Sequence, residues 1–114
     1  MVHYMHLHTA PFNLIAQKRK TIELRLYDEK RQMINIGDTI IFQNSIDSTK
    51  QLHALVKNLY VYESFEVLYA SLPLEQCGYM SVEVPNASFK DMERYYPLDM
   101  QAKYGVVGIE ILLL

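Results

Sequence analysis

Lys18-Arg19-Lys20-Thr21-Ile22-Glu23-Leu24-Arg25-Leu26 is the stretch on which the reading of this chain turns. From Thr21 to Leu26 polar and apolar side chains alternate with period two, the signature of a strand with one buried face. Ile22, Leu24 and Leu26 are expected to face the core, with Thr21, Glu23 and Arg25 sharing the other face. A short helix is expected before it. Thr9 is placed as its cap, Pro11 lies in its first turn, and Phe12, Ile15 and Ala16 recur at helical spacing. The basic run Lys18-Arg19-Lys20 falls at the negative end of that helix. The stretch from Lys20 to Arg25 thus holds two cations, a carboxylate and a hydroxyl. Chemically it reads two ways: Lys20 and Arg25 gripping an anion while Glu23 orients a polar group, or a solvated strand face on which Glu23 and Arg25 pair.

Outward from this stretch, the pattern is mostly strands with short helices between them. Residues 2–8 alternate, with Val2, Tyr4, His6 and His8 on one face and His3, Met5 and Leu7 on the other. A charged turn at Asp28-Glu29-Lys30-Arg31 and a turn at Ile36-Gly37-Asp38 lead into a strand over 39–42. A polar loop over 43–50 and a long strand over 51–62, bent or bulged, come next. Ser64 is set to cap a helix carrying Phe65, Leu68 and Tyr69, ended by Pro73; residues 74–86 show no pattern. Residues 88–96 read as a helix stopped by Pro97, with Ser88 and Asp91 in a capping-box arrangement. A helical turn over 98–103 and a strand over 104–114, interrupted by Gly105 and Gly108, close the chain. Strands do not alternate regularly with long helices, which argues against a parallel doubly wound sheet. A small α+β architecture fits better: a mixed, partly closed β-barrel of about five to six strands, with short helices flanking a cleft.

Composition narrows the function classes. The 114 residues are 50% hydrophobic and 21% charged, which excludes a disordered chain and suits one domain spanning 1–114. Cys77 is the only cysteine, so there is no disulfide framework and no cysteine-based zinc site. His6 and His8 sit two apart, but spacing suggests no third ligand; they read as surface histidines, and neither metal nor cofactor is expected. No apolar run reaches the ~18 residues of a membrane span, and the N-terminus lacks the pattern of a signal peptide. By elimination the expected setting is cytoplasmic. The net charge of −2 speaks against a general polyanion binder, although Lys18, Arg19, Lys20, Arg25, Lys30 and Arg31 make a local basic cluster. Phosphate-binding loops, zinc-protease and serine-hydrolase motifs are absent. Nine tyrosines stand out. Tyr60 and Tyr62 share a strand face and Tyr95-Tyr96 end a helix, positions that serve either a core or base stacking.

Lys18-x-Lys20-Thr21-Ile22-Glu23-Leu24-Arg25 after a short helix resembles the G-x-K-x-x-E-x-R signature of ASCH domains, small relatives of the PUA fold. Gly37-Asp38-Thr39-Ile40-Ile41-Phe42 resembles the family's G-D-x-I-x-F strand. Tyr62-Glu63-Ser64-Phe65 resembles its helix entry, and Tyr95-Tyr96-Pro97 with Lys103 to Ile109 resembles its closing helix and strand. The pieces cover most of the chain in order and are similar to those of a small single-domain member of bacterial type. The resemblance implies a PUA-like barrel whose cleft is lined by Lys20 to Arg25. It implies RNA binding, proposed for the family; one branch hydrolyses the amide of N4-acetylcytidine and another is associated with ribonuclease activity. Two departures stand out. Lys18 replaces the family glycine, which would end the helix through a left-handed turn. Glu23 occupies the position of the amidohydrolase branch's nucleophilic threonine, although Lys20 matches its lysine; that branch's catalytic glutamate falls near Glu75 or Gln76.

Two functions emerge as expectations. In the first, the cleft binds RNA, a nucleoside or a nucleotide. Lys20 and Arg25 contact phosphate, Lys18 and Arg19 steer, and Glu23 accepts hydrogen bonds from base or ribose. In the alternative, a small hydrolase acts on an acylated nucleoside or on RNA. Lys20 is its base, Glu23 orients water or substrate, and Thr21 is the nucleophile. Binding is favoured, because the nucleophile position is altered and no other triad can be read. A protein partner is a third option, with the apolar Ile111-Leu112-Leu113-Leu114 either docking or completing the barrel; the sequence does not give the oligomeric state.

Overall fold

The computed structural model describes residues 1–114. The alternating stretch forms strand β2 (Ile22–Leu26), preceded by β1 (Val2–Leu7) and followed by β3 (Thr39–Asn44), β4 (Gln51–Tyr62) and β5 (Val106–Leu113). Together they make one mixed sheet in the order β1-β3-β4-β5-β2. Only β1 and β3 run parallel; the other pairs are antiparallel. The sheet curls into a half-barrel, so its edge strands β1 and β2 approach one another. Across this gap the Arg25 guanidinium donates a 2.9 Å hydrogen bond to the His6 carbonyl. Three short helices, α1 (Thr9–Ala16), α2 (Phe65–Ser71) and α3 (Leu98–Tyr104), pack around the sheet. This is the partly closed α+β barrel expected from the sequence.

Two apolar clusters hold it together. The larger gathers Met5 and Leu7 of β1, Phe12 and Ile15 of α1, and inward side chains of β3, β4 and β5, including Phe42 and Ile109. The smaller joins Ile22, Leu24 and Leu26 to Phe65 and Leu68 of α2, with Val106 and Cys77. At roughly 1.5–3 kcal/mol per fully buried large side chain, these clusters are the main stabilising term. The apolar side of β2 therefore faces the core as its alternation predicts. Its other side is not solvated, because Glu23 is 3% exposed. The apolar C-terminal stretch completes the sheet, since β5 lies between β4 and β2.

Several boundaries differ from the sequence reading, each for a local reason. His8, not Thr9, caps α1: the first helical bond runs from Phe12 N–H to the His8 carbonyl, and Thr9 is already helical. β3 runs on to Asn44, whose buried side-chain oxygen accepts from Ile46 and Asp47 N–H and turns the chain there. β4 carries the anticipated irregularity, a register shift between Val56 and Asn58. The helix expected over 88–96 is only a 3-10 turn at Phe89–Met92. The capping box forms, yet Asp91 also takes a hydrogen bond from the Tyr79 hydroxyl, and Pro97 stops propagation one turn later. β5 begins at Val106 because α3 runs to Tyr104 and Gly105 turns the chain at φ 74°.

Lys18 adopts φ 62°, the left-handed conformation that glycine takes without strain. The helix-ending turn is thus kept and the lysine bears its steric cost. Replacing Lys18 by glycine should raise unfolding free energy by about 1 kcal/mol in urea titrations. Gly105→Ala should lower it by about 1–3 kcal/mol, since a Cβ there lies 2.9 Å from the Tyr62 carbonyl oxygen on a positive-φ backbone.

Candidate functional site

The left-handed turn at Lys18 decides where Lys20 goes. It lets Arg19 and Lys20 N–H both reach the Leu14 carbonyl, at 2.9 and 3.1 Å, and sends Lys20 back under the end of α1. The Lys20 side chain then runs along Gly78, where a Cβ would stand 3.2 Å from Lys20 Cδ. At its tip Nζ lies 2.8 Å from Glu23 Oε1. Arg25 closes on the other oxygen, with Nε and Nη2 each 2.8 Å from Glu23 Oε2. The same Nη2 reaches the His6 carbonyl. One buried carboxylate therefore lies between two largely buried cations, and one of those cations spans the seam of the half-barrel.

The electrostatics arise from this packing. Burial is the largest single influence on Glu23 and would raise its pKa. Lys20 and Arg25 together outweigh it and hold the carboxyl down at about 2. Arg25, also penalised by burial, is raised on balance by the Glu23 carboxylate. Burial pushes the nearby Cys77 thiol up to about 11, which leaves little reactive thiolate.

Above this ionic floor opens a cleft of about 650 Å³. One wall is His6 and His8 with Ala10, Pro11 and Leu14 of α1. The other is Tyr69 of α2 and the chain from Cys77 to Tyr96, which contributes Tyr79, Glu83, Met92, Tyr95 and Tyr96. Tyr96 stacks on Phe65 with centroids 5.8 Å apart, while Tyr95 is 59% exposed. Lys20 and Arg25 are balanced by Glu23 and Glu83, so the cleft offers a local cationic floor without a strong overall field. A second groove of about 530 Å³ near Val61, Val67 and Ala102 has Glu63 as its only charged lining residue.

Of the candidate site residues, the structure brings Lys20, Glu23 and Arg25 together at the cleft and leaves Lys18, Arg19 and Thr21 outside it. Thr21 and Lys18 line a small depression against Ile15 and the end of β5, and neither lines the cleft. Thr21, the expected nucleophile, precedes β2 and lies with Ile111 and Leu113 in that depression instead of beside the floor. Arg19 and Glu75 share another depression. The Gln76 carbonyl is spent on Thr21 and Ile22 N–H. Besides Glu23, the glutamate that reaches the cleft is Glu83, inside the stretch without pattern. Sequence reasoning equally missed Tyr69 and Tyr79 as cleft residues. The abundance of tyrosine was the available signal, but spacing does not say which rings converge. His6 and His8 are exposed at the edge strand, as expected of surface histidines, and also border the cleft.

The sequence model of the ASCH domain matches residues 5–114. Among solved structures, the chain is similar to hypothetical protein PH0355 at 36% identity, with a TM-score of 0.82 and full coverage of both chains. It is also similar to protein PF0455 from Pyrococcus furiosus at 37% identity, with a TM-score of 0.72, covering all of this chain and 98% of that one. These neighbours are archaeal, so they support the family and not the bacterial type. No curated protein matches the chain.

The floor predicts an acid-sensitive fold. Glu23 has a folded pKa near 2, below its ordinary 4.5, so its contribution is complete above about pH 4.5 and is lost as pH falls toward 2. Chemical denaturation between those limits should show a loss of roughly 3 kcal/mol from this group. Glu23→Gln should remove that pH dependence and destabilise the protein by about 3–5 kcal/mol at neutral pH, because it leaves two buried cations uncompensated.

Proposed function

The chain belongs to the ASCH domain family, which has been proposed to bind RNA, and on that premise we propose that its cleft holds one unstacked nucleotide of a single-stranded RNA. The observation that carries this reading is the convergence, in one cleft, of the Lys20–Glu23–Arg25 floor and the wall bearing Tyr95 and Tyr96. A flipped-out base needs an aromatic surface, and such stacking contributes about 1–3 kcal/mol per base. Tyr95 has the exposure to serve. The phosphate needs donors that the protein has not consumed. Lys20 spends one donor on Glu23 and keeps two. Arg25 is largely committed to Glu23 and the His6 carbonyl, so its role is to hold Lys20 and the seam in place more than to grip phosphate. Glu23, with both oxygens occupied, orients the cations. Lys18 and Arg19, exposed outside the cleft, act on approach. The near-neutral cleft suits a short RNA segment or single nucleotide more than a long duplex.

One observation favours a hydrolytic reading: Glu83 lines the same cleft as Lys20, which would supply an acid or base near a substrate amide or phosphodiester. Against it, Lys20 is half of a 2.8 Å ion pair, and an ammonium in that state has no lone pair to act as a base. Water would have to be the nucleophile. Binding therefore leads.

Anisotropy titrations with a short labelled single-stranded RNA test the proposal. Tyr95→Ala, on an exposed ring, should weaken binding by about 5- to 100-fold without changing the melting temperature. Lys20→Ala should weaken it at least about tenfold and reduce the salt slope by about one. Unchanged affinity in both variants would refute the placement. Incubation of the wild-type protein with N4-acetylcytidine and with mixed RNA should yield no product by mass; turnover abolished in Lys20→Ala would establish the hydrolase instead.

A further inference from the structure

Two of the cleft's tyrosines are joined in a hydrogen-bonded chain whose direction can be worked out by counting protons. The Tyr79 hydroxyl lies 2.9 Å from Asp91 Oδ2, and the Tyr69 hydroxyl lies 2.7 Å from the Tyr79 hydroxyl. An ionised carboxylate only accepts, so Tyr79 donates its single proton to Asp91. Tyr79 then has no proton left for Tyr69 and must accept from it. The chain therefore runs from Tyr69 through Tyr79 to Asp91. Its carboxylate end is anchored by Ser88 N–H, which donates to the same Asp91 oxygen. The two rings meet edge to face at 5.9 Å and 80°, which fixes both hydroxyls. Burial and this hydrogen bonding both push the Tyr79 hydroxyl toward keeping its proton.

The consequence appears at the open end of the chain. Tyr69 has given its proton away inside the protein, so the lone pairs left on its oxygen can only accept. A tyrosine is usually an ambivalent reader of ligands; this one is made a one-way reader by Asp91, two steps along the chain of bonds. We propose that Tyr69 is a specificity-determining residue of the cleft, and that its acceptor-only hydroxyl selects bases carrying an exocyclic amino group over those carrying a carbonyl there. Cytosine and adenine present N–H to it, whereas uracil and hypoxanthine bring a second acceptor against it. The inference rests on the base-binding reading of the cleft and deepens it. Glu23 is the weaker competitor as acceptor, because Arg25 fills Oε2 with two contacts and Lys20 takes one of the two acceptor sites of Oε1. Glu83 competes more strongly, since only one of its oxygens is engaged, by Met80 N–H. The test must therefore separate Tyr69 from Glu83.

Two phenylalanine substitutions do so, because they act on the chain in opposite senses. Affinities of wild type, Tyr69→Phe and Tyr79→Phe are measured by anisotropy for five-nucleotide RNAs of cytidine, uridine, adenosine and inosine, with thermal melts confirming that each variant is folded. Wild type should prefer cytidine over uridine and adenosine over inosine by about tenfold. Tyr69→Phe removes the acceptor, so the preference should collapse through weaker cytidine and adenosine binding. Tyr79→Phe removes the partner that consumes the Tyr69 proton. That proton becomes available to a ligand carbonyl, and the preference should collapse or invert through tighter uridine and inosine binding. A merely structural role for the pair would weaken all four RNAs alike in both variants, and would overturn the inference. So would a wild-type ratio within about twofold, or a preference untouched by Tyr69→Phe, which would assign selection to Glu83; RNA binding itself would survive these results. Binding of none of the four RNAs by folded wild type would overturn the base-binding reading and this inference together.

Discussion

The buried carboxylate of Glu23 is the constraint around which the molecule is arranged. An ionised carboxylate at 3% exposure is tolerable only if its charge is answered at contact distance, and two cations answer it. Lys20 arrives from the end of α1, and Arg25 from two residues further along the same strand. Arg25 also turns its planar guanidinium to the opposite edge of the sheet. A lysine at that position could bring only one nitrogen to Glu23 Oε2, where Arg25 brings both Nε and Nη2 in a fixed plane. The same few atoms thus neutralise the interior, draw the edges of the half-barrel together, and form the floor of the cleft.

That economy has a functional side. A cation held rigidly by a buried anion loses little entropy when it meets a ligand, because its geometry is already set. The excess of one positive charge on the floor is modest, and Glu83 at the cleft offsets it. Recognition then depends less on field strength than on shape, stacking and the direction of hydrogen bonds. The tyrosine wall supplies those.

The wall is built without regular secondary structure. Between α2 and α3 the chain is almost all turns, with 3-10 segments at Val84–Asn86 and Phe89–Met92. It is held by side chains. Tyr69, Tyr79 and Asp91 are linked across it, and buried Gln101 of α3 accepts from Phe65 N–H while donating to the Tyr96 carbonyl. Gly78 lets the chain pass over Lys20 at φ 110°. Such a segment presents aromatic rings at angles that a helix or strand could not combine.

Residues near one another in sequence determined much of the architecture. The alternation of 21–26 placed β2 and its apolar face, Ser64 capped α2, and the ordered resemblance pointed to the barrel and to Lys20, Glu23 and Arg25. These features were legible because they rest on local dihedral preference and on side-chain period, which sequence spacing encodes directly. Other features were settled by long-range contacts. Residues 88–96 carry a helical pattern and a capping box, yet Tyr79 and Pro97 confine them to a short 3-10 turn. The polar side of β2 matched a solvated face, yet Glu23 is a buried ion held between Lys20 and Arg25. Glu83, Tyr69 and Tyr79 converge from segments with no shared period, while Thr21, adjacent to the floor in sequence, lies outside the cleft. The tertiary structure decided these points because burial and hydrogen-bond direction depend on what the closing barrel brings into contact, and no local spacing encodes that.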